Sequence, residues 1–224
     1  MRLYLSSHRI GDSAGALLAM LGNASSARAA VISNGFDGRP EAARQICREE
    51  VFDPVAGLRA LGIAAEPLDL RAYFGDAAAL HRRLSAFDLV WVSSGNAFIL
   101  RRAMKQSQFD RVATDLIERD NLIYAGEGAG AIVAGTNLRG LELCHDPFEV
   151  PDGYNEYLVW SGLGLITFTI VPHFRSNRPE SAGAERLVNY LRARRLPYRA
   201  LSDGEVVVAA GARSIGRGLL KRIA

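Results

Sequence analysis

Apolar positions along the chain fall into short runs, each closed by glycine, proline or a small polar residue and followed by a longer mixed stretch. Residues 2–6 alternate and then break, which predicts a first strand, and Asp12 stands where it would cap a helix over 13–21. Ala29-Ala30-Val31-Ile32 predicts a second strand, closed by the turn-rich Ser33-Asn34-Gly35-Phe36-Asp37-Gly38. Pro40, whose missing N–H is harmless in a first helical turn, opens a helix that runs to Leu61 with a break near Asp53-Pro54. A third strand over 65–70 and a helix over 76–84 follow. Asp88-Leu89-Val90-Trp91-Val92 is apolar after its first residue, as a strand covered on both faces should be. Helices are expected from Ala97 and over 108–119, then a short buried strand at Leu122-Ile123-Tyr124-Ala125 and a small-residue helix over 129–134.

Strands alternating with helices predict a three-layer α/β/α architecture around a mostly parallel sheet. Ligands bind such sheets at the carboxyl ends of the strands. The later chain reads differently. Residues 141–157 are polar and loop-like, and a β-branched strand over 167–171 ends at Pro172-His173. An amphipathic helix covers 181–195, and apolar runs at 198–201 and 206–209 flank Ser202-Asp203-Gly204-Glu205, a hairpin turn signal. No repeat, low-complexity stretch or linker interrupts the chain, so a single domain over 1–224 is expected.

Between the strand at 122–125 and the helix at 129–134 lies a Gly-x-x-x-Gly turn, Gly126 to Gly130. Small residues at this spacing let a chain turn sharply from strand to helix and hold the central side chain at the tip, as in nucleophile elbows. Here the tip is Gly128, which carries no attacking atom. Glu127 beside it should point away from the nucleophile's space. Ser93 and Ser94 on the neighbouring loop can face the cleft, without an elbow behind them.

Composition narrows the function classes. Of 224 residues, 49% are hydrophobic and 23% charged, the balance of a soluble globular protein. The net charge of +3 is scattered, with local basic density only at Arg213, Arg217, Lys221 and Arg222. No aromatic-basic strand motif accompanies it, so nucleic acid is not an expected partner. No apolar run reaches about 18 residues and no apolar leader precedes a cleavage site, so no membrane association and a cytoplasmic location are expected. Cys47 and Cys144 make neither a disulfide framework nor a metal site, and Cys47, inside a helical pattern, is expected to be a buried thiol. No cofactor or metal is expected; a homodimer is permitted but not required.

His173, alone at a strand end, would ordinarily be structural, and Asp146 an ordinary loop carboxylate. Elbow, then acid, then histidine is nevertheless the chain order of α/β-hydrolase triads. A histidine base needs a carboxylate to fix its tautomer and orientation.

Six ordered segments together resemble the aspartyl dipeptidase (dipeptidase E) and cyanophycinase family of serine peptidases, whose fold is class I glutamine amidotransferase-like. They are Ile32 to Asp37, Ser94-Gly95-Asn96-Ala97-Phe98, Gly126-Glu127-Gly128-Ala129-Gly130-Ala131, Asp146-Pro147, Val171-Pro172-His173-Phe174 and Asp203-Gly204-Glu205. The resemblance implies hydrolysis of a small Asp-containing peptide or related amide, with His173 as general base and Asp146 as its partner; Glu142 competes for that place. It implies an oxyanion hole from the N–H groups of Gly95 and Ala129, with Asn96 beside it, and a substrate-gripping arginine among Arg175, Arg178 and Arg186. Gly128 takes the place of the family's serine, Ser94 that of a glycine and Ala97 that of a threonine. The chain is therefore expected to be an impaired hydrolase, or a protein that binds a small acidic or peptidic ligand without cutting it. Gly128→Ser is expected to fit an elbow whose neighbours Gly126, Ala129 and Gly130 already suit a serine, at a strain cost of about 1–3 kcal/mol.

Overall fold

The structure, a computed structural model, describes residues 1–211 and the backbone of 220–223. The basic cluster at Arg213, Arg217, Lys221 and Arg222 lies outside the described residues except for the backbone of the last two. The strands are β1 (Arg2–Ser6), β2 (Arg28–Ile32), β3 (Ala64–Pro67), β4 (Leu89–Val92), β5 (Ile123–Glu127), β6 (Thr169–Val171), β7 (Tyr198–Ala200), β8 (Val206–Ala210) and β9 (Leu220–Ile223). The helices are α1 (Ala14–Leu21), α2 (Glu41–Ile46), α3 (Pro54–Ala60), α4 (Ala77–Leu84), α5 (Ala97–Gln106), α6 (Phe109–Glu118), α7 (Ala129–Val133) and α8 (Ser181–Ala193).

Five strands run parallel in the order β3-β2-β4-β5-β1, and β8 and β9 extend the sheet antiparallel beyond β1. Period-two alternation sends neighbouring side chains to opposite faces. Leu3, Leu5, Ile32, Val90, Val92 and Tyr124 face one core with α4 to α8, whereas Tyr4, Val31, Trp91, Ile123 and Ala125 face another with α1 and α3. Both faces are buried, which is why β4 reads as a continuous apolar run. The result is the expected three-layer, mostly parallel, class I glutamine amidotransferase-like fold.

Caps decide several boundaries. Asp53 accepts hydrogen bonds from the N–H groups of Val55 and Ala56 and starts α3 at Pro54, so the expected break is real. Asp76 caps α4 through Ala79 N–H, and Asn96 caps α5 through Phe98 N–H. Asp12 does not cap α1: Ser13 holds the N-cap position, and Asp12 instead donates its N–H to Gly204 O at 2.9 Å. The segment before Asp53 ends as a π-helical turn, Cys47–Val51. Cys47 there is half-buried and not the sealed thiol its helical setting suggested.

The turn at 202–205 does not make a hairpin. β7 pairs in parallel with β6 in a small separate sheet, and β8 pairs with β1. The turn is a crossing between two sheets. Because β8 is antiparallel, its first residue, Val206, sits opposite Ser6 at the carboxyl end of β1. The turn is thereby delivered to the edge where the parallel strands end.

Two glycines test how tightly that edge is packed. A Cβ built on Gly130 overlaps the carbonyl oxygen of Val92, which is backbone and cannot move aside. Gly15, exposed in α1, has nothing within 4 Å of a built Cβ. Gly130→Ala is therefore expected to cost about 3 kcal/mol, as overpacking against fixed atoms does. Gly15→Ala should add about 0.5–1 kcal/mol through reduced backbone entropy. Urea unfolding of the two variants checks the opposite signs.

Candidate active site

β5 runs straight into the turn: its last residue is Glu127, and Gly128 follows with φ 50° and ψ −114°, a left-handed backbone that glycine adopts with least strain. The turn is sharp because backbone meets backbone. A Cβ on Gly126 would lie 2.5 Å from both the carbonyl carbon and oxygen of Gly130. Gly128 donates its N–H to Ser6 O at 3.3 Å, and its carbonyl accepts the first turn of α7 from Ile132 at 3.0 Å. This is the strand-turn-helix shape of a nucleophile elbow.

His173 lies beside it. Its backbone is also left-handed, φ 58°, an uncommon state for a non-glycine residue. Ser7 holds it there, its hydroxyl accepting His173 N–H at 2.9 Å while donating to Leu201 O at 3.2 Å. Ser6 thus anchors the elbow and Ser7 the histidine, so consecutive residues at the end of β1 hold the two together.

The carboxylate on His173 is Asp203, with Oδ1 2.8 Å from Nδ1. This corrects the expectation for Asp146 and Glu142. Asp146 Oδ1 accepts from Phe148 N–H at 2.8 Å, and Glu142 Oε2 accepts from Gly140 N–H at 2.8 Å. Both carboxylates are committed to their own loops. Asp203 is fixed from its other side by Arg178, whose Nε lies 3.0 Å from Oδ2. With Nδ1–H donated to Asp203, the tautomer that leaves Nε2 as a proton acceptor is the one favoured.

Two further histidines flank this pair. His8 Nε2 accepts from Arg178 Nη2 at 2.7 Å, and its ring packs edge-on against His173 with centroids 5.6 Å apart. Burial, then the Arg178 charge, lowers its pKa to about 4. His145 Nδ1 accepts from Ala97 N–H at 3.0 Å, and burial followed by His173 lowers its pKa to about 4. Both are neutral near pH 7. Neither stands out in the sequence, where isolated histidines in polar stretches carry no signal.

These groups line a cavity of about 720 Å³ that includes Ser94, Gly95, Asn96, Gly128, Ala129 and His173. The N–H groups of Gly95 and Ala129 have no acceptor among the described residues. Asn96 is spent on structure: its Nδ2 donates to Asp146 O and Glu149 Oε2, each at 2.8 Å, which ties the 146–149 loop over the site. Of the three arginines expected to grip substrate, Arg178 and Arg186 line the cavity and Arg175 does not. Arg175 stacks on Phe174, 5.1 Å from the ring centroid. Arg178 is engaged by Asp203 and His8, and Arg186 donates to Leu143 O at 3.1 Å.

Position 128 faces Ser94. A Cβ built there overlaps Ser94 Oγ and lies 3.0 Å from Ser94 Cβ. The side-chain space at the elbow tip is filled from the neighbouring loop. Gly128→Ser alone therefore requires the Ser94 hydroxyl to turn aside and its Cβ to give by a few tenths of an ångström. Glu127 is buried behind the tip, and burial pushes its carboxyl up to about 7. The N–H groups of Arg9 and Ser94 and the indole of Trp91 pull in the other direction.

The chain is similar in sequence and fold to known proteins. The model of peptidase family S51 matches residues 40–215. "Uncharacterized peptidase Lmo0363" of Listeria monocytogenes is 24% identical over 163 residues, 72% of this chain and 75% of its own. "Probable alpha-aspartyl dipeptidase" of Drosophila melanogaster is 26% identical over 133 residues, 56% of this chain and 51% of its own. Among solved structures, one assigned to peptidase E of L. monocytogenes superposes with a TM-score of 0.75 at 20% identity, covering 100% of this chain and 98% of that one. A peptidase from an acI-B1 actinobacterium gives 0.62 at 15% identity, covering 92% and 82%.

Glu127 yields a pH prediction. Its folded-state pKa, about 7, lies above the ordinary 4.5, so the stability it contributes is whole below pH 4.5 and lost as pH rises through about 7. Glu127→Gln, which stays neutral, should unfold at a higher temperature than the wild type at pH 8, and the advantage should vanish at pH 4.5. The interval between the two pKa values corresponds to roughly 3 kcal/mol at most. Melting curves of both proteins across this range check the sign.

Proposed function

The chain belongs to peptidase family S51, and from that premise we propose that it hydrolyses the amide bond of short peptides, with dipeptides bearing an N-terminal aspartate as first candidates. The contact between His173 and Asp203, 2.8 Å long and set beside the elbow, carries the reading. His173 Nε2 serves as the general base and later returns the proton to the leaving amine. Asp203 orients the ring and stabilises the imidazolium. The N–H groups of Gly95 and Ala129 receive the developing oxyanion; such donors are worth about 3 kcal/mol each. The name of the Drosophila relative supports aspartyl dipeptides as substrates. So do Arg39 and Arg186, which line the cavity and make no ion pair among the described residues.

A second reading has its own observation. Gly128 removes the elbow's attacking atom, which favours a protein that holds a small acidic or peptidic ligand without cutting it.

Incubation with a panel of Asp-containing dipeptides separates the two. The hydrolytic reading predicts free aspartate, and at least a hundredfold loss in His173→Ala. The binding reading predicts a raised melting temperature in excess dipeptide, as a ligand of the native state alone produces, with no product. A protein that neither cleaves nor is stabilised contradicts both.

A further inference from the structure

We propose that Ser94 supplies the nucleophile, the attacking hydroxyl having moved from the elbow tip to the loop that faces it. The inference rests on the hydrolytic reading above and names the atom which that reading leaves open.

Residues 94 and 128 share one small volume. A Cβ at 128 would overlap Ser94 Oγ, so the hydroxyl of Ser94 already stands where a side chain from the elbow tip would stand. Gly128, lacking a Cβ, makes room for it. Ser94 is half-buried, lines the cavity with His173, and its Oγ donates to nothing among the described residues.

The donors survive the move. In an elbow, the oxyanion hole combines the N–H of the residue after the nucleophile with one from a neighbouring loop. With the hydroxyl on Ser94, the following residue is Gly95 and the neighbouring loop brings Ala129. With it at 128, the following residue is Ala129 and the neighbouring loop brings Gly95. The same two N–H groups serve either arrangement, because the loops face each other across the reacting atom. Gly95 is held at φ 107° against Gly35, whose carbonyl accepts Asn96 N–H at 2.7 Å. The loop that carries Ser94 is therefore pinned rather than free.

The chemistry balances. Ser94 Oγ bonds to the peptide carbonyl carbon and its proton passes to His173 Nε2. The tetrahedral oxyanion collapses, the C–N bond breaks, and the amine leaves with that proton. Water then adds to the acyl ester, giving a proton to His173. Cleavage of the C–Oγ bond returns it to Ser94 and releases the acid.

The experiment uses the full chain, a fluorophosphonate and the dipeptide panel, with product release and tryptic mass mapping as readouts. The expected result is one phosphonyl adduct on the peptide holding Ser94. Ser94→Ala should lose the adduct and at least a hundredfold in turnover while keeping its dipeptide-induced rise in melting temperature. The exchange variant Ser94→Gly/Gly128→Ser should carry the adduct at 128 and recover at least a tenth of wild-type turnover, whereas Gly128→Ser alone, with two side chains in one space, should not. An adduct on another residue, or a folded Ser94→Ala within threefold of wild-type turnover, overturns the assignment. If that residual turnover still depends on His173, the hydrolytic reading stands without it. A wild type that neither turns over nor labels takes both down.

Discussion

Backbone packed on backbone at the carboxyl ends of the parallel strands is the constraint on which the site depends. Gly130 fits against the carbonyl of Val92, Gly126 against Gly130, and Gly95 against Gly35. None of these contacts leaves space for a Cβ. They bring the loops after β2, β4 and β5 into one cluster, and the strand spacing of a sheet fixes how far apart the loops begin. The cluster is set by main-chain atoms that have no rotamers to adjust.

The histidine enters this cluster by a different route. β6 lies outside the main sheet, so His173 is not positioned by the strand ladder that places the elbow. It is positioned by β1 and β8 instead. Ser7 continues β1 and takes His173 N–H, while antiparallel β8 brings the 202–205 turn back to the same edge, with Asp203 on His173 and Gly204 on Asp12. Arg178 closes the arrangement by pairing with Asp203 and donating to His8. Each partner holds the next, and the left-handed backbone at His173 persists because its surroundings over-determine it.

The layers, strands β1 to β8 and the elbow were legible in the sequence because each rests on local pattern: alternation, a capping Asp53 or Asp76, glycines at a fixed spacing; β9 was not expected. The acid was not legible. The order of elbow, acid and histidine pointed to Asp146, but the carboxylate that meets His173 follows it in the chain. Here the turn that leads into antiparallel β8 carries the carboxylate, and Asp203 read as a turn residue in a resembling segment, with no role at His173. The hairpin failed for the same reason, since strand pairing is decided by partners far away in the chain. His8 and His145 gave no signal at all. The departures at positions 94 and 128, by contrast, were both visible as single substitutions. That they occupy one volume becomes apparent only when the loops are set face to face.

Under the proposal a glycine at the elbow tip and a serine opposite it are two halves of one change, with His173, Asp203 and the N–H groups of Gly95 and Ala129 around them. The distance between Ser94 Oγ and His173 Nε2 tests that claim most directly. A crystal structure of the wild-type chain at near-neutral pH should show the two atoms within hydrogen-bond reach, about 2.6–3.2 Å, or joined through one water. Ser94 turned out of the cavity, or separated from Nε2 by protein atoms, would contradict it.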